Sequence, residues 1–208
     1  MDEMKKLKQL DPRWITVLLL LTSGVFVFIL PLLQTESSLI GILLISAIIF
    51  LAAYNISRRL ILMGFIAIAI EVGTRTTDFI VLNYLAVVTT NLFLIYIVGN
   101  VVLNMMRQRS VTLFTLVEAV NGYLLLGIMF ISLVVFCELT FPGSYLFKGE
   151  EGIDLVYYTL VTLTTVGYGD ITPQIPVAKS LSMIIAISGQ FYIAVVVAII
   201  VGKFASKN

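Results

Sequence analysis

Apolar stretches long enough to cross a membrane follow one another along this sequence, with only short polar breaks between them. A membrane-spanning helix needs about 20 mostly apolar residues, whereas soluble domains are only about 45–50% apolar and about 25% charged. This chain of 208 residues is 60% apolar and 12% charged. The pattern predicts an all-α membrane protein with six transmembrane helices, at residues 14–33, 39–54, 60–72, 79–106, 115–139 and 177–204.

Basic residues lie mainly on one side of these predicted spans. Cytoplasmic loops carry an excess of Lys and Arg, so this bias predicts that both termini are cytoplasmic. The small size and bare termini favour a prokaryotic inner membrane as the location. Ten of the 13 basic residues fall on that side: Lys5, Lys6, Lys8, Arg13, Arg58, Arg59, Arg107, Arg109, Lys203 and Lys207.

The residue types that are missing or rare exclude several classes of function. The chain has no His and a single Cys, which excludes a His/Cys zinc site, a His-based catalytic triad and an intrachain disulfide. A net charge of +1 gives no electrostatic surface for nucleic acid. We therefore expect neither an enzyme nor a nucleic-acid-binding protein.

A shorter apolar run, residues 153–164, lies between the fifth and sixth predicted spans and cannot cross a bilayer. It leads directly into Thr165-Val166-Gly167-Tyr168-Gly169. Glycine-rich backbone at membrane depth is tolerated only where protein buries it or where it lines an aqueous path. The sequence therefore predicts a re-entrant helix followed by a pore-lining loop; the alternative is an ordinary glycine-rich turn between two helices.

The spacing of the two glycines fits a narrow extended strand whose carbonyl oxygens replace the hydration shell of a cation. Successive carbonyls turn the same way only if the backbone visits left-handed conformations, which Gly adopts at little cost. Gly167 and Gly169 stand at the alternate positions that this geometry requires. The hydroxyl of Thr165 can add an innermost site that faces a cavity.

This segment resembles the potassium channels, whose signature Thr-Val-Gly-Tyr-Gly after a pore helix is present here without change. Tyr157 and Tyr158 form an aromatic pair before the signature, and in many members of the family this pair is two tryptophans. Some members carry a carboxylate at the position where this chain has Val161. By resemblance, Tyr157 would hydrogen-bond Asp170 behind the filter. The resemblance extends to further positions that include the filter-supporting candidates: Tyr157, Tyr158, Thr162, Thr164, Asp170 and Pro173.

The resemblance implies a K⁺-selective channel that conducts passively. One chain supplies one filter strand, so the resemblance implies a homotetramer embedded in lipid. It implies no cofactor other than K⁺ ions, which would bind at Thr165, Val166, Gly167 and Tyr168. The C-terminal end of the pore helix would present its partial negative charge to the cation. The corresponding domains are a cytoplasmic tail (1–13), a four-helix peripheral domain (14–110) and a pore domain (111–208).

The fourth predicted span contains no Lys or Arg, although a voltage sensor needs basic residues at regular intervals within the membrane. We therefore expect weak or no intrinsic voltage dependence, with the first helices acting as a scaffold. The polar residues of this span are of the kind that make helix-to-helix hydrogen bonds: Asn83, Thr89, Thr90, Asn91, Asn100 and Asn104.

The last span contains the gating candidates. Gly189 lies twenty residues beyond Gly169, the spacing of a glycine hinge in potassium channels, and close helix packing is the alternative. Gln190 is predicted near the cavity wall, where its amide binds water or contacts another helix. Ile193 and Val197 can form a hydrophobic constriction that gates by dewetting.

Three other membrane functions would require different sequence features. A potassium transporter would carry four degenerate pore loops in a much longer chain, whereas this chain has one intact loop. A weakly selective cation channel would typically lack Tyr168 or a filter glycine, and both are present. A pore subunit that needs a separate, unknown regulatory partner is the remaining alternative.

Overall fold

The computed structural model describes residues 12–29, 38–56, 80–108, 111–147 and 151–205, together with residues 69 and 73. The predicted third span, 60–72, therefore lies almost wholly outside the described residues. Within them the helices are α1 (Pro12–Gly24), α2 (Ser38–Ile56), α3 (Ile80–Arg107), α4 (Leu113–Thr140), α5 (Glu151–Leu163) and α6 (Pro176–Ala205). Helix α1 continues as a π-helix over Val25–Ile29.

Three of the described helices are long and apolar enough to cross a membrane: Tyr84–Arg107, Leu113–Thr140 and Pro176–Lys203. They coincide with the fourth, fifth and sixth predicted spans, and they make the chain a helical membrane protein. Shorter apolar helices occupy Trp14–Ile29, Leu43–Tyr54 and Ile153–Leu163. A count of six membrane crossings remains a prediction.

Polar side chains join the peripheral helices to α4. The buried Asn121 of α4 donates a hydrogen bond from Nδ2 to the carbonyl oxygen of Thr16 in α1, at 2.9 Å. Asn91 of α3 donates from Nδ2 to Ser132 Oγ of α4, at 3.2 Å. The expected helix-to-helix bonding is thus confirmed for Asn91, whereas the Asn100 amide donates to Tyr96 of its own helix.

Helices α4, α5 and α6 pack against one another, with α5 held between the two long helices. The side chain of Thr112 caps the first turn of α4 in a capping box with Thr115, which satisfies backbone donors that the helix leaves unpaired. The hydroxyl of the buried Tyr192 donates to the carbonyl oxygen of Ala119, at 2.8 Å, and so joins α6 to α4. Helix α5 thus packs against two long helices that are themselves joined by a hydrogen bond.

A two-residue bridge connects the segment before α5 with the segment after the filter. Strand β1 (Tyr145–Leu146) pairs antiparallel with β2 (Thr172–Pro173). The backbone amide of Gln174 extends this pairing by donating to the carbonyl oxygen of Ser144, at 2.7 Å. The segments that precede α5 and follow the filter are therefore held together by backbone hydrogen bonds.

Candidate pore and selectivity filter

The C-terminal end of α5 turns into the filter through a Schellman motif. The amide of Val166 donates to the carbonyl oxygen of Val161, and the amide of Thr165 donates to that of Thr162, both at 3.0 Å. These are the two hydrogen bonds of a helix that ends with a left-handed residue at the first position past its cap. That residue is Thr165, whose φ is +60°.

Left-handed backbone alternates along the filter. Gly167 has φ +56° and Gly169 has φ +77°, as the sequence predicted, and Thr165 adds a third left-handed position two residues earlier. A Cβ added at either glycine would meet no atom within 4 Å, so the backbone conformation and not space demands Gly there.

Thr165 is a position that sequence reasoning placed in the filter without foreseeing its conformation. A left-handed conformation costs a residue with a Cβ about 1–2 kcal/mol, and it is least expected for a β-branched residue. Such strain persists only where surrounding contacts hold it, and it concentrates at functional sites. No sequence signal marks it, because Thr is not a residue type selected for this conformation.

The filter strand is open on one side in the single chain. The side chain of Val166 is 53% exposed and that of Tyr168 is 72% exposed, and both are large apolar groups. Residues 164–170 are all exposed, so the segment with alternating left-handed backbone lies open in the single chain.

Tyr157 joins α5 to the residue that follows the filter. Its hydroxyl donates to Asp170 Oδ2 at 2.7 Å, the contact that the resemblance implied, while Oδ1 accepts from the Ile171 amide at 3.1 Å. The hydrogen bond to the carboxylate raises the pKa of Tyr157 to about 12. Both ends of the filter are therefore connected to α5.

Tyr158 has a different partner from its neighbour. It is buried, its ring lies 4.9 Å from that of Tyr145, and its hydroxyl bonds that of Ser182 in α6. Because the Ser182 proton is already donated to the carbonyl oxygen of Ala178, Tyr158 is the donor. The two tyrosines thus support the site separately: Tyr157 holds the filter and Tyr158 holds α6.

The last turn of α5 carries carbonyl oxygens that are paired within the protein. The Leu160 carbonyl accepts from the Thr164 amide at 2.9 Å, and the Leu163 carbonyl accepts from the Tyr123 hydroxyl at 3.2 Å. Thr162 contributes its carbonyl to the Schellman motif. Each of these three carbonyl oxygens therefore accepts at least one hydrogen bond, and the end of α5 also carries the negative end of the helix dipole.

Gly189 packs against the end of α5. A Cβ at Gly189 would lie 2.0 Å from the carbonyl oxygen of Leu163, so only Gly fits at this contact. Close packing, the alternative to a hinge, accounts for the residue, and the hinge remains a prediction.

The other gating candidates lie on an exposed face of α6. Gln190 donates from Nε2 to Thr165 Oγ1 at 2.8 Å. Ile193 and Val197 follow along the same face and are 43% and 51% exposed. The structure thus brings Gln190 to the filter and leaves the two apolar candidates facing outward from the single chain.

Comparison with known proteins shows a similarity between the C-terminal region and ion channels. Residues 123–206 match a family model described as an ion channel. This range covers α5, the filter, α6 and most of α4. The part of the chain that carries the site is therefore similar to an ion-channel domain.

The curated relatives are potassium channels. The chain is 34% identical over 108 residues to potassium voltage-gated channel subfamily A member 10 of Mus musculus and of Homo sapiens. It is 33% identical over 87 residues to the A-type voltage-gated potassium channel KCND3 of Rattus norvegicus. These matches cover 52% and 40% of this chain, but only 19% and 13% of the relatives. No solved structure matches the chain.

Proposed function

We propose that this protein is a potassium-selective channel that conducts K⁺ passively through a pore at Thr165–Gly169. The observation that carries the proposal is the alternation of left-handed backbone at Thr165, Gly167 and Gly169 in an exposed segment between two helices. Alternating backbone handedness turns successive carbonyl oxygens toward one side, where they can replace the hydration shell of a cation. K⁺ is bound by oxygens of Thr165, Val166, Gly167 and Tyr168.

A pore of this kind needs several copies of the chain. Each chain supplies one filter strand, and closed cyclic symmetry brings identical strands together around an axis. Two features support a homotetramer: the exposed side chains of Val166 and Tyr168, and a second exposed apolar face of α6 formed by Ile184, Ile187 and Phe191. Neighbouring chains and lipid cover these surfaces in the assembled channel.

The channel has weak or no intrinsic voltage dependence. Helix α3 carries no basic residue before Arg107, its last residue, so no charge lies in its membrane-spanning part to respond to the field. The relatives named above are voltage-gated potassium channels. This chain shares their permeant ion but differs from them in gating. The gate is formed by Ile193 and Val197, which narrow the path below the filter.

Orientation follows from the basic residues, with both termini cytoplasmic in a prokaryotic inner membrane. Lys203, near the end of α6, and Arg107, at the end of α3, then lie on the same cytoplasmic side. That side is where a constriction formed by α6 would act.

The test is the reversal potential of the purified full chain in a planar bilayer, with KCl on one side and NaCl on the other, over a wide voltage range. We expect reversal near the K⁺ equilibrium potential and an open probability that changes little with voltage. Reversal near zero would instead indicate a weakly selective cation channel. Absence of current that is restored by a co-purified partner would indicate a pore subunit with a regulatory partner.

A pair of glycine variants provides the matched control. Gly167→Ala places a side chain at φ +56° and should abolish selective K⁺ current. Gly202→Ala in α6 meets open space and should leave the current unchanged. Equal currents in the two variants would contradict a role for the filter backbone.

A further inference from the structure

Gln190 of α6 makes a hydrogen bond to the most strained residue of the filter. Its Nε2 lies 2.8 Å from Thr165 Oγ1, although the two residues are 25 positions apart in the sequence. Thr165 is the left-handed, non-glycine residue at which α5 turns into the filter. The bond therefore joins the inner helix to the innermost filter residue.

The position of Gln190 is itself fixed by its neighbour. Gly189 lies against the Leu163 carbonyl, so α6 and the end of α5 are in backbone contact one residue before Gln190. The side-chain amide of Gln190 therefore reaches Thr165 from a part of α6 that is packed against α5, and not from a loop. A shift of α6 relative to α5 would break the bond.

The strain at Thr165 needs such a contact. The cost of its left-handed conformation is comparable to the net gain from one hydrogen bond. The Schellman bonds from Thr165 and Val166 hold the backbone, and the Gln190 bond holds the side chain. Without Gln190 the hydroxyl is free to rotate and the turn opens more often.

We propose that Gln190 is a positioning residue that holds Thr165 in its filter conformation and aims its hydroxyl, which makes the innermost ion site depend on the position of α6. The Thr hydroxyl has two lone pairs and one proton. The Gln190 amide takes one lone pair, which leaves the other for a cation. This inference rests on the proposed function, because it assigns an ion to that site.

The first experiment measures the filter turn without requiring conduction. Hydrogen exchange at the Val166 and Gly167 amides, both bonded to the Val161 carbonyl, is compared between the full-length wild type and Gln190→Leu in lipid nanodiscs. Leu nearly preserves the volume and removes the donor. We expect these amides to exchange about 2- to 10-fold faster in the variant, the equivalent of one lost hydrogen bond.

The second experiment measures the ion site. Ba²⁺ carries twice the charge of K⁺ and binds the same kind of oxygen ligands more tightly, so it blocks a pore where it is held. We expect Gln190→Leu to weaken block by cytoplasmic Ba²⁺ by at least about threefold, because the hydroxyl is no longer aimed. In a Thr165→Val background, which lacks the hydroxyl, the same substitution should have no further effect.

A matched control is Gln174→Leu. The Gln174 side chain bonds only to Thr172 among the contacts the structure gives it, in the exposed segment beyond the filter. We expect wild-type exchange at Val166 and wild-type Ba²⁺ block in this variant.

The outcomes separate the inference from the proposed function. Unchanged exchange in Gln190→Leu overturns the inference whether or not the protein conducts K⁺. Faster exchange with unchanged Ba²⁺ block also overturns it, because Gln190 then has no effect on the ion site. Absence of K⁺-selective current in the wild type overturns the proposed function, and the exchange experiment still tests the contact.

Discussion

Gly189 of α6 approaches the carbonyl oxygen of Leu163 so closely that a Cβ on the glycine would lie 2.0 Å from that oxygen. The same carbonyl accepts a hydrogen bond from the Tyr123 hydroxyl of α4. One backbone group at the end of α5 is thus the meeting point of both long helices. The depth of the filter relative to α4 and α6 is set at this point.

Gly189→Ala should destabilise this junction. The added methyl group would collide with backbone, which cannot move away as a flexible side chain can, and overpacking of this kind costs about 1–3 kcal/mol. Thermal unfolding of the full chain in nanodiscs should show the loss. Gly202→Ala, in the same helix but with open space around it, should be neutral or stabilising because Ala favours the helix. Equal stability of the two variants would contradict the close contact.

The Tyr157 hydrogen bond predicts a dependence on alkaline pH. Asp170 raises the pKa of Tyr157 from 10.0 to about 12, so the phenol stays protonated in the folded protein at a pH where it ionises in the unfolded chain. The hydrogen bond of the Tyr157 phenol therefore makes its full contribution to stability below pH 10, and this contribution is lost as the pH rises through about 12. Tyr157→Phe should lower the stability near neutral pH. Between pH 10 and 12 the stability of this variant should fall less than that of the wild type.

The measurement is a pH series of thermal unfolding in nanodiscs, with Tyr96→Phe as the control. Tyr96 lies on α3, outside the filter segment, and its side chain is half exposed. Identical pH profiles for the wild type and Tyr157→Phe would mean that the phenol does not bond Asp170 when the protein is in a membrane.

The sequence predicted the filter segment because its signature is local. Left-handed backbone at Gly167 and Gly169 could be predicted, since Gly is the residue type that this conformation selects. The roles of Thr165 and Leu163 could not, because strain and a close backbone approach depend on where distant helices lie. Likewise, the pair Tyr157 and Tyr158 reads as one unit in the sequence, yet neighbouring residues of a helix point in different directions and find different partners.

Glu138 is buried at the end of α4 and accepts two backbone hydrogen bonds, from the Gly143 amide at 2.6 Å and from the Tyr145 amide at 3.0 Å. Glu138→Gln would place an amide donor against one of these backbone donors. We expect a loss of about 1–3 kcal/mol and faster hydrogen exchange at Gly143 and Tyr145.

Glu118→Gln is the comparison for this prediction. Glu118 accepts one side-chain hydrogen bond, from Gln108 Nε2 at 2.9 Å, and a Gln at position 118 retains an oxygen that can accept it. Its effect on stability should be smaller than that of Glu138→Gln. The reverse order would show that the loop after α4 is not held by the Glu138 carboxylate.

The C-terminal end of α6 holds the corner between α3 and α4. The ammonium group of Lys203 donates to the carbonyl oxygens of Met105 and Gln108, where the last turn of α3 leaves carbonyls without helical partners. Gln108 in turn accepts from the Thr115 hydroxyl at 2.6 Å. Three helices therefore meet at Lys203, and its positive charge also suits the negative end of α3.

Lys203→Met keeps the apolar stem and removes the charge and both hydrogen bonds. We expect the free energy of unfolding to fall by about 1–3 kcal/mol, since hydrogen bonds to a charged group are lost and two carbonyls lose a partner. Hydrogen exchange should quicken at residues 111–116, where α4 begins. Lys203→Arg should restore most of the stability, and Lys179→Met, at an exposed site near the other end of α6, should have little effect. Equal stability of Lys203→Met and Lys179→Met would show that Lys203 does not join α6 to the α3–α4 corner.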